Sequence, residues 1–291
     1  MAAPITTHTV TANGIDFTYL SCGTGPLALC LHGFPDSPHS WRHLLPALAD
    51  AGYRAVAPFT RGYAPTSLAA DAMYQTGALS ADANALHEAL GADSRAVIIG
   101  HDWGAPSAYG AAASEPQRWS KVVGMSVPPG PAIGMAFATN LAQVKRSWYM
   151  FYFQHPLSDM VVPADDLAFI DMLWADWSPG HQAREDAENC KACLRSPGNL
   201  QAALGYYRCT LGTGPRSPRY DEIQAAGSGE LTMPTLYLHG ERDGCIGVEV
   251  AESVRTLSPW VTVEIVTGAG HFLQLEQSGT VNSLIVDWVT A

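Results

Sequence analysis

The run Gly100-His101-Asp102-Trp103-Gly104 follows the apolar stretch Ala96-Val97-Ile98-Ile99. It sets a carboxylate where a buried strand must turn sharply into a helix. Glycines two positions either side of the central residue suit a strained turn over which the next helix packs closely. Such a turn pushes its central side chain out of the sheet as a nucleophile. A carboxylate is poorly suited to attacking an ester or amide carbonyl. It is well suited to displacing a leaving group from a saturated carbon, forming an ester on the protein itself. The chemistry expected of Asp102 is therefore hydrolysis of an epoxide or a carbon–halogen bond. With no Gly-x-Ser-x-Gly at this turn, a serine-type esterase is disfavoured.

Two later residues can complete a catalytic set. His271 follows Gly270 after the apolar run Val261–Val266, and Asp243 lies in Gly240-Glu241-Arg242-Asp243-Gly244 after Pro234–His239. Alone, a histidine after glycine is a loop residue and an aspartate before glycine a turn former. Their order behind the elbow gives them weight: nucleophile Asp102, acid Asp243, base His271. The segment after the strand ending at Ser126, Val127-Pro128-Pro129-Gly130, offers no competing carboxylate. Glu241 and Arg242 read as a solvent-exposed turn pair, and His101, beside the nucleophile on a sharp turn, as structural. His32-Gly33-Phe34-Pro35 follows the first long apolar run, so the amides of Phe34 and Trp103 are the expected oxyanion hole. Asp36 and Ser37 then read as helix-start residues before Pro38.

Stepping out from these residues, strands and helices alternate, which predicts an α/β fold with a mostly parallel central sheet and helices on both faces. Thr7–Val10 and Ile15–Tyr19, around Asn13-Gly14, predict an opening hairpin. Leu27–Leu31, Tyr53–Pro58, Ala96–Gly100, Lys121–Ser126, Pro234–His239 and Val261–Val266 supply further strands, and Ser40–Ala51 and Ala78–Leu90 have helical periodicity. From about Gly130 to Gly214 no good strand occurs, and Trp, Tyr, Phe and Met are frequent. Breaker clusters at Pro128–Pro131 and Gly212–Pro215 bound this stretch. The expected organisation is a core of residues 1–129 and 216–291 with an inserted helical cap at 130–215. A cap over strand ends encloses a pocket where open α/β sheets bind ligands.

Composition excludes several classes. With 47% hydrophobic and 15% charged residues in 291, the chain reads as an ordinary soluble globular protein. A net charge of −11 and no basic run argue against nucleic acid and anionic membrane surfaces. No stretch reaches the length of a membrane span. Met1-Ala2-Ala3-Pro4 has neither a basic nor an apolar segment of a secretory signal. The six cysteines are scattered, and Cys190-x-x-Cys193 lacks a second ligand pair. Free thiols, no metal and a cytoplasmic location are expected.

Together, His32-Gly33-Phe34-Pro35, Arg61-Gly62-Tyr63, Gly100-His101-Asp102-Trp103-Gly104, Asp243 and Gly270-His271 resemble the α/β-hydrolase-fold epoxide hydrolases over nearly the whole chain. The resemblance implies two cap tyrosines that bind and protonate the epoxide oxygen. Tyr149, in Tyr149-Met150-Phe151-Tyr152-Phe153-Gln154, and Tyr207, in Tyr206-Tyr207-Arg208, match those positions. Tyr152, Trp148, Phe151, Trp174 and Trp177 are expected as cap core or pocket wall, and Phe34, Trp103 and Phe272 as substrate pocket. The chain departs from the family at Phe272, where Trp is common, at Glu276-Gln277-Ser278, which lacks a proline, and at Ala64-Pro65. The implied activity is conversion of a small hydrophobic epoxide and water to a vicinal diol, without cofactor or metal; whether the chain pairs as a homodimer is left open. Haloalkane dehalogenases share the elbow, and a ligand-binding receptor of the same fold is the alternative from another class.

Overall fold

The computed structural model describes residues 3–291; Met1 and Ala2, in the segment read as carrying no secretory signal, lie outside the described residues. The eight strands are β1 (Thr6–Ala12), β2 (Ile15–Cys22), β3 (Leu27–Leu31), β4 (Arg54–Pro58), β5 (Val97–His101), β6 (Lys121–Met125), β7 (Thr235–Gly240) and β8 (Val261–Val266). They form one sheet in the order β1-β2-β4-β3-β5-β6-β7-β8. β2 pairs antiparallel with β1 and β4, and every other pairing is parallel. This is the α/β-hydrolase fold, with strand positions within a few residues of those expected.

Sequence pattern and sheet position agree for a physical reason. Central β3 and β5 are buried along their whole length, because helices cover both faces of parallel strands. Edge strand β8 alternates buried with more exposed residues. Alternate side chains of the central strands feed two separate cores. On one face Cys30, Val97, Ile99 and Leu238 pack with Leu44, Leu45 and Leu48 of helix α1 (Leu44–Asp50) and with Val281, Ile285 and Val289 near the C-terminus. On the other, Leu29, Leu31 and Ile98 pack with Ala83 and Leu86 of α2 (Thr76–Ala89) and Ala105, Ala108 and Ala112 of α3 (Gly104–Ser114).

The expected helix Ser40–Ala51 is instead a 3-10 turn, Pro38–Trp41, followed by α1. Pro46 has no N–H to give an upstream carbonyl, so it is tolerated in the first turn of a new helix and not inside a longer one. Ser37 is the N-cap residue of the 3-10 turn but makes no side-chain cap bond; Asp36 Oδ1 accepts from the Ser37 amide (2.7 Å) and the Ser40 hydroxyl.

Between β6 and β7 the chain is helical: α4 (Ala132–Thr139), α5 (Leu141–Arg146), α6 (Trp148–Tyr152), α7 (Ser158–Val161), α8 (Ala164–Trp177), α9 (Arg184–Leu194), α10 (Pro197–Leu211) and α11 (Asp221–Ala226). The first turn of α8 is irregular, with positive φ at Asp165, Asp166 and Leu167. Specific bonds fix these helices to the strand-end loops. Trp174 Nε1 donates to the Pro35 carbonyl (2.8 Å), Asn199 to the Gly62 carbonyl (2.8 Å) and the Tyr206 hydroxyl to the Arg61 carbonyl (2.5 Å). Arg61 itself is buried and forks onto both carboxylate oxygens of Asp82 (2.6 and 2.8 Å), with Asp71 on its third nitrogen (2.8 Å). The Arg61-Gly62-Tyr63 motif thus serves as an anchor. After β7 come α12 (Val248–Leu257), β8, α13 (Leu273–Glu276) and α14 (Ser278–Thr290). Among the described residues no helix is long and apolar enough to cross a membrane.

A Cβ on Gly104 would strike the Leu31 carbonyl, whereas one on Gly134, exposed in α4, would meet nothing within 4 Å. Gly104→Ala should therefore cost about 2 kcal/mol or more through overpacking. Gly134→Ala should gain about 0.5–1 kcal/mol from helix entropy. Urea denaturation of the two variants checks the contrast.

Candidate active site

β5 ends at His101 and α3 begins at Gly104, so the chain reverses within two residues. Asp102 takes φ 51°, a left-handed conformation costly for a non-glycine residue and held only where surroundings enforce it. A Cβ on Gly100 would collide with the Gly104 carbonyl, and one on Gly33 with Asp102 Oδ1 and the Trp103 amide. The three glycines are what let two loops and a helix start converge on one carboxylate. The Phe34 N–H donates to Asp102 Oδ1 at 2.7 Å, and Asp102 is nearly fully buried. The Phe34–Pro35 peptide bond is cis, as is Ala64–Pro65.

The loop after β7 carries Asp243. Its Oδ1 accepts the amides of Cys245 (2.7 Å) and Ile246 (2.9 Å), leaving Oδ2 to accept Nδ1–H of His271 at 2.9 Å. The other imidazole nitrogen, Nε2, lies 3.6 Å from Asp102 Oδ2, buried and with no hydrogen-bond partner. His271 is fixed through its backbone: its N–H donates to the Trp177 carbonyl (3.1 Å), and its carbonyl accepts from His101 Nε2 (2.9 Å) and the Ser126 hydroxyl (2.7 Å). His101 therefore lies beneath the His271 imidazole, its Nδ1 3.4 Å from Asp36 Oδ2.

Electrostatics follow from these distances. Burial would push His271 down, but the Asp243 and Asp102 carboxylates outweigh it and hold the imidazole up at about 10. Burial would likewise raise Asp243, and the adjacent His271 holds it below its ordinary value.

Two phenols from the helical segment pack beside the same site, near enough to feel the Asp102 charge though not among the residues that line the cavity next to it. Tyr149 of α6 and Tyr207 of α10 are both buried, with ring centroids 5.7 Å apart and nearly perpendicular. Tyr207 also meets Trp103 edge-on at 5.0 Å, and its hydroxyl has no hydrogen-bond partner. The Tyr149 hydroxyl lies 3.2 Å from Cys245 Sγ. Burial, together with Cys245 at Tyr149 and Asp102 at Tyr207, raises both phenols well above their ordinary value. They remain protonated donors at neutral pH.

Asp102, Trp103 and Cys245 open onto a cavity of about 1050 Å³, mouth included, walled mainly by Pro106, Val127, Ile133, Phe137 and Met150. Thr76, Thr210 and Gln224 add polar groups, and Asp102 is the single formally charged residue among the lining residues described. Such a space accepts a neutral, largely apolar small molecule and presents it to a carboxylate.

Several expectations need correction. Phe272 does not wall this cavity: its ring is stacked on Trp174 (3.4 Å between centroids, 2° between planes), behind His271. The Phe34 ring turns instead into Phe153 and Tyr207, so the residue offers its amide and not its face. Trp148 and Phe151 are neither cap core nor pocket wall; they are 41% and 59% exposed on the outer side of α6. A five-residue helix that turns Tyr149 inward must turn residues on the opposite side outward. Trp174 and Trp177 are buried and Tyr152 is half-buried. Glu241 and Arg242 are, as expected, an exposed turn pair, bound to the Gly268 amide and carbonyl. All six cysteines are free and buried.

Sequence reasoning missed two residues. Cys245, treated only as a free thiol, touches Tyr149 and faces the cavity. Gln143, buried in α5, donates to the Cys245 carbonyl (2.9 Å) and accepts the Gly247 amide (2.9 Å), joining the helical segment to the Asp243 loop. Cys245 stands two residues after Asp243, a visible proximity, but nothing local pointed to Gln143. Asp243, Cys245 and His271 also bring donor atoms within 4.8 Å of one another, as metal ligands would. Here the carboxylate is already committed to two amides and the imidazole, so these groups satisfy one another.

Residues 26–278 match the family described as alpha/beta hydrolase fold. Epoxide hydrolase A of Mycobacterium tuberculosis (strain ATCC 25618 / H37Rv) is 30% identical, covering 100% of this chain and 98% of that protein. Epoxide hydrolase 1 of Caenorhabditis elegans is 30% identical over 89% of this chain, which spans 64% of that longer relative. The crystal structure of epoxide hydrolase A from Mycobacterium thermoresistibile superposes with a TM-score of 0.78 at 26% identity, covering 99% of each chain.

The raised His271 value fixes a sign. A group whose folded value lies above its ordinary 6.5 adds stability that is fully present below that pH and is lost as pH rises through about 10. Between those limits the urea midpoint of the parent protein should fall more steeply than that of His271→Gln; parallel slopes would show that the imidazole carries no such charge.

Proposed function

We propose that this chain, which belongs to the α/β-hydrolase-fold family, hydrolyses epoxides to vicinal diols through an ester on Asp102. One observation carries the reading: an elbow carboxylate with an imidazole at 3.6 Å and two buried phenols within its electrostatic reach. The phenols distinguish the reaction. An opened epoxide is an alkoxide, far more basic than a phenolate, and needs a proton; a departing halide needs only donors. The names of the relatives above support the same chemistry. In this reading residues 130–215 act as a cap on a core of 1–129 and 216–291.

In the first step an Asp102 oxygen attacks an epoxide carbon and the ring C–O bond breaks. Tyr149 and Tyr207 hold the oxygen, and one phenol proton passes to it, leaving a hydroxyalkyl ester. Esterification removes the negative charge of Asp102, one of the two carboxylates that raise His271. The imidazole's proton affinity then drops and its resting proton passes to solvent, so ester formation itself converts His271 into a usable base. In the second step His271, oriented by Asp243, takes a proton from water, and the hydroxide adds to the ester carbonyl. The amides of Phe34 and Trp103 receive the oxyanion; the former already donates to Asp102 Oδ1, so it needs no rearrangement. Collapse frees the diol and the Asp102 carboxylate, the proton released restores the phenol, and His271 regains its resting proton from solvent as the carboxylate charge returns.

The substrate class we infer is a neutral hydrophobic epoxide, because the cavity offers apolar walls and no cation. Six buried free thiols fit a reducing compartment, and the cytoplasm is part of the proposal.

Incubation with styrene oxide and, separately, a chloroalkane should yield diol from the first and no halide from the second. Halide release without diol would make the protein a dehalogenase, and saturable binding without turnover of either would make it a receptor. His271→Gln should still be alkylated but should not turn over, so intact-mass spectrometry should show the protein heavier by one epoxide. An unmodified mass after exposure to substrate would end the two-step scheme.

A further inference from the structure

Cys245 is held more firmly than a bystander needs. Its N–H donates to Asp243 Oδ1 (2.7 Å), its carbonyl accepts from the buried Gln143 (2.9 Å), and the residue lines the cavity that contains Asp102. That places the sulfur 3.2 Å from the Tyr149 hydroxyl and within electrostatic reach of Asp102. The partner hydroxyl, on Tyr207, has no partner at hydrogen-bond geometry among the described residues. The two phenols are therefore not equivalent: one is oriented by the protein and the other is left to the substrate.

We propose that Cys245 is a positioning residue for ring opening: its S–H donates to the Tyr149 phenol oxygen, aiming that phenol's own proton at the epoxide oxygen. The inference rests on the epoxide-hydrolase reading of the site. As the Asp102–carbon bond forms and the ring C–O bond breaks, the proton moves from Tyr149 to the ring oxygen, and its electron pair stays on the phenolate. The thiol steadies that phenolate until the proton freed during ester hydrolysis restores it.

Sulfur suits the task. It is a weak acceptor, so it does not compete with the epoxide oxygen for the phenol proton, as a carboxylate or carbonyl in its place would. Burial, with the charges of Asp243 and Asp102, raises the thiol well above its ordinary value, so it stays a donor at neutral pH. A thiolate would instead draw the phenol proton away from the substrate.

The test is a double-mutant cycle on the full-length enzyme with styrene oxide. Rapid-quench intact-mass measurements follow ester formation and ester decay separately. Cys245→Ala should slow ester formation by about threefold to tenfold, the worth of one ordinary hydrogen bond, and leave ester decay within about twofold. Cys245→Ser, which keeps a donor, should recover most of the loss. In a Tyr149→Phe background Cys245→Ala should cost nothing further. Cys245→Val, which fills the site without a donor, carries the same test where alanine loosens the fold.

Equal slowing of both steps would mean that Cys245 acts through the Asp243 loop, and an undiminished effect in Tyr149→Phe would mean that it acts by bulk; either result overturns the inference. Wild-type enzyme that forms no ester with any epoxide removes the functional reading and this inference with it. Ester formation with Cys245 uncoupled from Tyr149 removes the inference alone.

Discussion

The hydrogen bond from the Phe34 amide to Asp102, across a gap only glycine leaves open, is the constraint around which the rest is arranged. A carboxylate this buried costs free energy unless donors are already in place. The donor comes from a loop after β3, while the carboxylate stands on a turn after β5. The two meet because β3 and β5 are adjacent and parallel in the sheet, so their C-terminal ends open on the same side. Left-handed backbone at Asp102 and the absence of side chains at Gly33, Gly100 and Gly104 are consequences of that meeting. Strain at the turn is offset by the close contact of α3 with the sheet.

A second convergence lies across the site. The Asp243–Gly247 loop orients His271 through a carboxylate, touches Tyr149 through a thiol and is clasped by Gln143 from the helical segment. One short segment thereby links the parts that, in the proposed reaction, open the ring and hydrolyse the ester. The charges reinforce this economy. The resting imidazole is raised by two carboxylates, and the proposed first step removes one of them, so the order of the half-reactions is written into the electrostatics.

The helices above the sheet depend on polar anchors as much as on apolar contact. Arg61, forked onto Asp82 and bound to Asp71, supports a loop whose carbonyls receive Tyr206 and Asn199 from α10. Trp174 does the same at the Pro35 carbonyl while its ring covers Phe272. These bonds fix the height of α8 and α10 over the strand ends. In the proposed reaction that height sets where Tyr207, on α10, stands.

By itself, the sequence determined the strands, because a parallel sheet covered on both faces demands unbroken apolar runs, and such runs are visible. It also determined the elbow, since Asp102 between Gly100 and Gly104 after such a run has few other uses, and it placed His271 and Asp243 in order behind it. The direction of individual rings was not legible. Phe272 and Phe34 read as pocket walls, but the first is captured by Trp174 and the second by Phe153 and Tyr207, partners far away in the chain. Pro46, visible in the sequence, accounts for the split of one expected helix into a turn and α1, but no local pattern showed that Trp148 and Phe151 would face outward. Only the tertiary structure brought Cys245 to Tyr149 and Gln143 to the Asp243 loop. Strand formation is governed by neighbours in sequence, whereas a side chain's partner is chosen by whichever surface the fold brings against it.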